Sequence, residues 1–501
     1  MIRRMDLDPD ACYRAIQTRD ARFDGRLFVA VRTTGIYCRP VCPARTPKRE
    51  NVTFHATAAS AQEAGYRACL RCRPETSPQL GAWNGASNTV SRALALIEAG
   101  ALDEGDVETL AGRVGVGGRQ LRRLFLQHLG ATPVGVAQTR RVLLAKQLIH
   151  ETDLPMAEVA LAAGFGSVRR FNETFQQLYD RPPAALRRRK TLPAPAGEAI
   201  SLTLRYRPPY DWEGMLAFLA MRAIPGVEVV ESGVYRRVIA LDGAAGTIAV
   251  APIGGDRLSV AVRFPKPSAL PRILARVRGV FDLSADPVGI GEVLSRDPDL
   301  ARMVALRPGL RVPGAWDGFE LAVRAILGQQ ITVVQARKLA GDLTAAHGEP
   351  LAEPWAEPGL THAFPSADRL AAVDLSGLKM PGARIRCLSA MAEAIAAAPN
   401  LLSPTASLTE MVARLRALPG IGEWTAQYIA MRQLREPDAF PAADVALMRA
   451  LADAEGVRPT PDQLLARAEA WRPWRAYAAL HLWASLGDEG APPVRKVKRA
   501  A

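Results

Sequence analysis

The spacing of apolar positions changes several times along the chain, and each change marks a different kind of element. Between residues 105 and 190 the spacing is helical and occurs twice. Leu110-Ala111 and Gly115-Val116 match Val159-Ala160 and Gly164-Phe165 at an offset of 49. After one inserted residue, Leu121, Phe125, Leu129 and Pro133 match Phe171, Phe175, Tyr179 and Pro183 at an offset of 50. Each copy predicts a helix, a glycine-bearing turn and a second helix with an apolar i, i+4, i+8 ridge, with a joining helix over about 133–150. Residues 200–265 instead carry short alternating runs (ISLTLRY, YRRVIAL, GTIAVAPI, RLSVAVRF) that predict antiparallel strands, with a helix at 215–223. After Pro308 the period is helical again, in stretches rich in Ala, Leu and Arg. Residues 74–88 (PETSPQLGAWNGASN) and 191–198 (TLPAPAGE) are Pro/Gly/Ser-rich connections. The expected fold class is multidomain α+β. A small α/β cysteine-bearing domain spans 1–78, an all-α double helix-turn-helix domain 85–190, an antiparallel α+β sheet domain 198–305 and an all-α domain 306–490, followed by a basic tail at 491–501.

Composition adds a partner to this outline. The 501 residues are 49% hydrophobic, enough for several cores, and carry a net charge of +14. Residues 1–190 hold 29 Lys+Arg against 18 Asp+Glu, a net of +11, while the other 311 residues hold 35 against 32, a net of +3. The front is therefore the stronger polyanion binder, although a basic surface alone also serves solubility. Residues 1–6 show no apolar leader core, and no stretch has the length of a membrane span. Six cysteines are too few for a disulfide scaffold, and a cytosolic, nucleoid-associated protein is expected.

Four of those cysteines are paired: Cys38-x3-Cys42 and Cys69-x2-Cys72, across a 26-residue insert. Four thiolates at short spacing suit one tetrahedral Zn2+; two disulfides or four unrelated buried thiols are the alternatives. Cys12 and Cys387 stand alone and read as small core residues. Arg39, Arg45, Lys48, Arg49, Arg67, Arg71 and Arg73 crowd the ligands, balancing the −2 charge of such a site and attracting phosphate. The strings FVAVRTTGIYCRPVCP (28–43) and ACLRCRP (68–74) resemble the N-terminal domain of the Ada family of methyl-phosphotriester repair proteins. That resemblance implies that Cys38 is both zinc ligand and irreversible methyl acceptor, and that Thr34, Arg45 and Arg67 contact DNA.

The duplicated helical segment has a bland reading, a bundle with solvated arginines. Its duplication and charge favour DNA, with Arg119, Arg122 and Arg123, or Arg169, Arg170 and Asn172, entering a major groove. It resembles the AraC-type DNA-binding domain.

The rear helical region holds Leu418-Pro419-Gly420-Ile421-Gly422-Glu423-Trp424, which ends one helix and opens another whose exposed N–H groups can hold a DNA phosphate. Asp444 follows a proline turn, and four of the eight tryptophans fall within 424–483. A hairpin, one acid and an aromatic wall together suggest a pocket for a flipped base. These strings, with the preceding sheet, resemble the AlkA-type 3-methyladenine glycosylases of the helix-hairpin-helix superfamily over about 198–490. The resemblance implies that Asp444 is the catalytic acid and that Trp424, Tyr428 and Trp483 line the base pocket. It also implies that Gly420 and Gly422 bind phosphate and that polar Gln330 stands where the family fills the gap left by the flipped nucleotide. Trp424 occupies the slot where a lysine would support Schiff-base lyase chemistry, so hydrolysis alone is expected. The rear region lacks the cysteines for an iron–sulfur cluster, and no Pro-Cys-His-Arg string of a second methyltransferase occurs. The expected protein repairs DNA methylphosphotriesters by transfer to Cys38, binds specific sequences in double-stranded DNA as a transcriptional activator (with RNA polymerase as partner), and releases 3-methyladenine and 7-methylguanine. The competing readings are a regulator with a catalytically inactive glycosylase-like domain and a glycosylase with lyase activity.

Overall fold

The computed structural model describes residues 8–78, 88–187, 199–403, 407–453 and 455–488, and its architecture is multidomain α+β. The connection at 191–198 and the basic stretch at 494–499 lie outside the described residues.

Helix α1 (Pro9–Gln17) opens at Asp8, whose carboxylate accepts from the N–H groups of Asp10 and Ala11, with Pro9 in the first turn. Strands β1 (Phe28–Val31), β2 (Ile36–Cys38), β3 (Val52–His55) and β4 (Arg67–Ala68) form a sheet in the order β3-β1-β2-β4, and α2 (Ala58–Glu63) lies between β3 and β4 in the chain. The β2–β4 pair is parallel with Tyr37 opposite Ala68, which carries the two cysteine pairs to the same end of the sheet.

The helical segment comprises α3 (Asn88–Glu98), α4 (Ala101–Glu104), α5 (Val107–Arg113), α6 (Gly118–Leu129), α7 (Pro133–Glu151), α8 (Met156–Ala162) and α9 (Val168–Tyr179). The repeat seen in sequence extends to backbone conformation. Gly115 and Gly164 both take the left-handed region (φ 76° and 87°), as do the residues ending α6 and α9, Gly130 and Asp180 (φ 66° and 54°). Leu121, Phe125 and Leu129 are buried along α6, and Phe171, Phe175 and Tyr179 along α9.

Next come β5 (Ile200–Arg205), α10 (Trp212–Arg222), β6 (Glu228–Glu231), β7 (Val234–Leu241), β8 (Ala244–Pro252) and β9 (Arg257–Arg263), giving an antiparallel sheet ordered β5-β9-β8-β7-β6. Helix α10 starts earlier than the apolar run at 215 suggests because Asp211 caps it, accepting from the Gly214 N–H. Edge strand β6 escaped the pattern, since its sequence EVVE has charged ends.

Helices α11 (Leu270–Val280), α12 (Pro287–Leu294) and α13 (Pro298–Leu306) begin the helical region well before residue 308. It continues through α14 (Gly318–Leu327), α15 (Val333–His347), α16 (Ala367–Ala371), α17 (Gly382–Ala397), α18 (Leu408–Arg416), α19 (Glu423–Arg432), α20 (Val445–Ala450), α21 (Pro461–Ala468) and α22 (Arg475–Asp488). One apolar core fills this body; a second is continuous from Phe171 and Phe175 of α9 to Met215, Tyr235 and Val260 of the sheet. A buried ionic network clamps sheet to body: Arg237 reaches Glu320 on α14 at 2.7 Å, and Arg324 reaches Glu320 at 2.7 Å and also Glu228. Every charge in the network is paired, as buried charges require.

Candidate active and metal sites

Cys38 closes β2, Cys42 follows in the next turn, and Cys69 and Cys72 follow β4. Their four sulfurs lie within 4.8 Å of one another, with Cys69 and Cys72 buried and Cys38 and Cys42 partly exposed. The Arg39 N–H donates to Cys72 Sγ at 3.4 Å and the Arg71 N–H to Cys69 Sγ at 3.3 Å, the outer-shell support a thiolate cluster requires. The set fits one Zn2+. Cys12 and Cys387, both 3% exposed, are core residues outside the quartet, and Cys38 packs against the small core that holds Cys12.

The arginine border divides. Arg39 is buried and spends its guanidinium on Asp24, the Cys72 carbonyl and Thr76, so it supports the site and is not offered to phosphate. Arg73 bridges Glu75 and Glu151, and Arg49 lies 3.6 Å from Asp10. Arg45 and Arg71 are exposed, with no ion pair among the described residues. Thr34 is exposed in the β1–β2 turn, its hydroxyl 3.4 Å from the Val31 carbonyl. Arg67 lies 5.7 Å over the Tyr179 ring at the junction with α9.

On the helical segment, Arg119, Arg122 and Arg123 of α6 and Arg169, Arg170 and Asn172 of α9 all face solvent. Ser167 caps α9 by accepting from the Arg170 N–H. Arg169 leans on Glu173 at 2.8 Å and Arg122 on Glu108 at 3.1 Å; both pairs are exposed and hold the side chains only weakly.

The third site is built around α18, the hairpin and α19. Gly420 takes φ 78°, and a Cβ there would meet the Cβ and Sγ of Cys387 at 2.8 Å, so both backbone conformation and packing demand glycine. Gly422 is the N-cap of α19 and no side chain caps it, leaving the first N–H groups open. Gln329 ties the loop after α14 to this hairpin, donating to the Gly420 carbonyl at 3.1 Å, while Gln330 sits exposed with φ 60°.

Asp444 is the N-cap of α20. Its Oδ1 accepts from the Ala446 and Leu447 N–H groups (2.8 and 3.0 Å) and from Trp483 Nε1 (3.1 Å), and Oδ2 accepts from Trp424 Nε1 (2.6 Å). The Trp424 ring stacks on Tyr428 at 5.1 Å with a 10° tilt, and Trp483 stands edge-on to Tyr428 at 6.4 Å. All four residues are partly exposed. Trp471 and Trp474, counted with them in the aromatic wall, are instead core; Trp471 donates to Asp297 at 2.9 Å.

The structure adds residues that sequence reading missed. Arg432 Nη1 donates to the Tyr428 hydroxyl at 2.7 Å, and Arg222 from α10 lies 3.8 Å over the Phe218 ring. Burial pushes the Tyr428 phenol up, but Arg432 and Arg222 outweigh it and leave it below the usual tyrosine range. Arg222 and Phe218 reach the pocket from another domain. Their i, i+4 spacing predicts contact along a helix and does not indicate what that helix faces.

Four families match the chain in succession. The metal binding domain of Ada matches residues 11–75, a helix-turn-helix domain 110–189, the AlkA N-terminal domain 201–317, and the HhH-GPD superfamily of base excision DNA repair proteins 323–476. The protein named "Probable bifunctional transcriptional activator/DNA repair enzyme AlkA" of Mycobacterium tuberculosis (strain CDC 1551 / Oshkosh) is 43% identical across 96% of this chain and 97% of its own length. The chain belongs to the bifunctional Ada/AlkA family. An Ada/AlkA protein joins a zinc-binding Ada domain, a helix-turn-helix domain and a glycosylase domain in one chain, and DNA is its partner. The Escherichia coli (strain K12) "DNA-3-methyladenine glycosylase 2" is 36% identical over 57% of this chain and 97% of its own. A 3-methyladenine DNA glycosylase from Archaeoglobus fulgidus shares the fold of the rear part, with a TM-score of 0.51, 22% identity, and coverage of 58% of this chain and 99% of that one. Among the described residues of this Ada/AlkA chain, no helix is long and apolar enough to cross a membrane.

Proposed function

We propose that this protein is a DNA alkylation sensor and repair enzyme with two chemical centres and one reader. Its parts would span residues 1–78 (methyl acceptor), 85–190 (double helix-turn-helix) and 198–490 (glycosylase sheet and helical domains). The observation that carries the glycosylase reading is the carboxylate of Asp444, held by two indole and two backbone N–H groups at the edge of the Trp424–Tyr428 stack. Such donors fix the carboxylate in orientation, so little reorganisation accompanies the growth of positive charge on the sugar. The substrate class is an alkylated purine such as 3-methyladenine or 7-methylguanine. A cationic base is already a good leaving group, so Asp444 stabilises the oxocarbenium-like sugar and positions a water. The indole faces favour a cationic base over a neutral one. Gly420 and Gly422 hold a phosphate on the hairpin, and Gln330, strained and exposed, stands at the gap left by the flipped nucleotide. With Trp424 in the lysine slot, the product is an abasic site without strand cleavage.

At the first centre Cys38 Sγ attacks the methyl carbon of a phosphotriester; the S–C bond forms, the C–O bond breaks, and an ordinary phosphodiester leaves. Bound zinc would keep the four thiols deprotonated at neutral pH. Arg45 and Arg71 meet the flanking phosphates, with Thr34 and Arg67 at the edges. Methylation changes the cluster charge from −2 to −1, which raises affinity for DNA and would let Arg169 and Asn172 read a promoter for RNA polymerase recruitment. The alternative, a regulator with an inert rear domain, predicts no free base. The test is purified full-length protein on methylated duplex DNA, scoring released bases, strand nicks and the mass of the Cys38 peptide together. Released methylpurine, intact strands and one methyl on Cys38 are expected. No released base, nicked strands or methyl on another residue would each overturn its part of the reading.

A further inference from the structure

A cavity of about 400 Å³ lies where parts of all four matched segments meet, and neither the four clustered cysteines nor Asp444 line it. Its wall takes Phe28 from the zinc domain, Leu94 and Ala95 from α3, Leu143 and Leu144 from α7, Leu274 from α11, and the loop 433–437 after α19. That volume falls in the ~300–1,000 Å³ range of small-molecule sites, which are mostly apolar with a few polar groups that orient the ligand. Three such groups are here. Thr139 Oγ1, on a residue 4% exposed, has no hydrogen-bond partner, and neither has the buried Arg140 Nε. The Arg278 guanidinium makes no hydrogen bond or ion pair among the described residues, and Glu98 faces it from beyond ion-pairing distance. The other charges on the wall are taken: Glu75 by Lys146, Glu436 by Arg92, Arg140 by Asp103 and Arg435 by Asp282. A partly exposed guanidinium with no bound partner, an unpaired hydroxyl and an apolar wall lining one cavity have the chemistry to hold an acid with a hydrocarbon body.

We propose that this cavity binds a small amphipathic carboxylate, its acid group on Arg278 and its apolar body along Leu94, Leu144 and Leu274. Because the loop 433–437 forms part of the wall and leads to Asp444, occupancy would couple the front domains to the glycosylase end of the chain. Sodium decanoate is the probe and decanol its neutral counterpart, titrated calorimetrically into the zinc-loaded full chain. Saturable 1:1 decanoate binding is expected, with a raised unfolding midpoint. Arg278→Met should weaken decanoate roughly 10-fold or more, the scale of one charge-assisted hydrogen bond, and leave decanol unchanged. Ala95→Trp should narrow the cavity and weaken both, in protein whose circular dichroism and zinc content match wild type. Failure of wild type to saturate would overturn the proposal, as would decanoate affinity undiminished by both substitutions or equal losses of acid and alcohol in Arg278→Met.

Discussion

Lys146 of α7 is fully buried, and its Nζ lies 2.8 Å from Oε2 of Glu75, whose side chain is 1% exposed, and 3.2 Å from the carbonyl of Cys69. One side chain thus joins the helix-turn-helix domain to the cysteine cluster. The Coulomb attraction at 2.8 Å is about 6 kcal/mol at an effective dielectric of about 20, and most of it offsets the cost of taking both charges from water. Lys146→Met removes one partner and leaves a buried carboxylate, a change that ordinarily costs about 3–5 kcal/mol. Arg73, 3.2 Å from Glu75 Oε1, remains and places the loss at the lower end, about 3 kcal/mol. For a cooperative unit the size of residues 8–187 that lowers the midpoint roughly 10 °C. The assay is thermal unfolding of the zinc-loaded chain, paired with the rate at which a chelator strips the metal, which should rise because Cys69 loses its carbonyl anchor. The double variant Lys146→Met/Glu75→Leu should recover most of the loss. A single variant within about 1 kcal/mol of wild type, or a double variant as unstable as the single, would refute the reasoning.

His481, 5% exposed with an unpaired Nδ1, is pushed by burial down to about 4. Its stability contribution is intact above the unfolded value near 6.5 and falls as pH drops from there to about 4, by roughly 3 kcal/mol; urea midpoints against pH should show that slope in wild type and lose it in His481→Leu. Gly420→Ala forces a Cβ onto Cys387 in a left-handed residue, and should cost about 2 kcal/mol in unfolding assays and weaken duplex binding. Trp483→Phe keeps a ring beside Tyr428 but deletes the 3.1 Å donor to Asp444; single-turnover base release should fall about 10-fold, with lesion binding changed far less. An unchanged rate there would mean that the indole N–H does not orient the acid.

The periodic parts of the molecule were legible from residue order alone. The duplicated ridge Leu121/Phe125/Leu129 and Phe171/Phe175/Tyr179 is buried as a repeat, down to matched left-handed residues at Gly130 and Asp180, because local spacing fixes those helices. The cysteine quartet was legible because short spacings leave little freedom in where the sulfurs go. What escaped depends on contacts between distant segments. Glu75 read as part of a polar connection, yet it is buried on Lys146, 71 residues away. Arg39 read as a phosphate contact but serves Asp24 and Thr76, and Arg222 with Phe218 reaches the aromatic pocket from the other side of a domain boundary. Trp471 and Trp474 are indistinguishable in sequence from Trp424 and Trp483, and only tertiary packing assigns the first pair to the core.

The central claim is that Asp444 works on a flipped alkylated purine, and single-turnover release of free base from methylated duplex DNA by Asp444→Asn tests it most directly. The asparagine keeps an oxygen that can accept from the Ala446 and Leu447 N–H groups, so α20 stays capped and the fold survives. The account predicts wild-type DNA affinity and circular dichroism with a rate of 7-methylguanine release lowered roughly 100-fold or more, the scale of a lost key electrostatic group. Release at the wild-type rate by a folded, DNA-binding Asp444→Asn protein would contradict it.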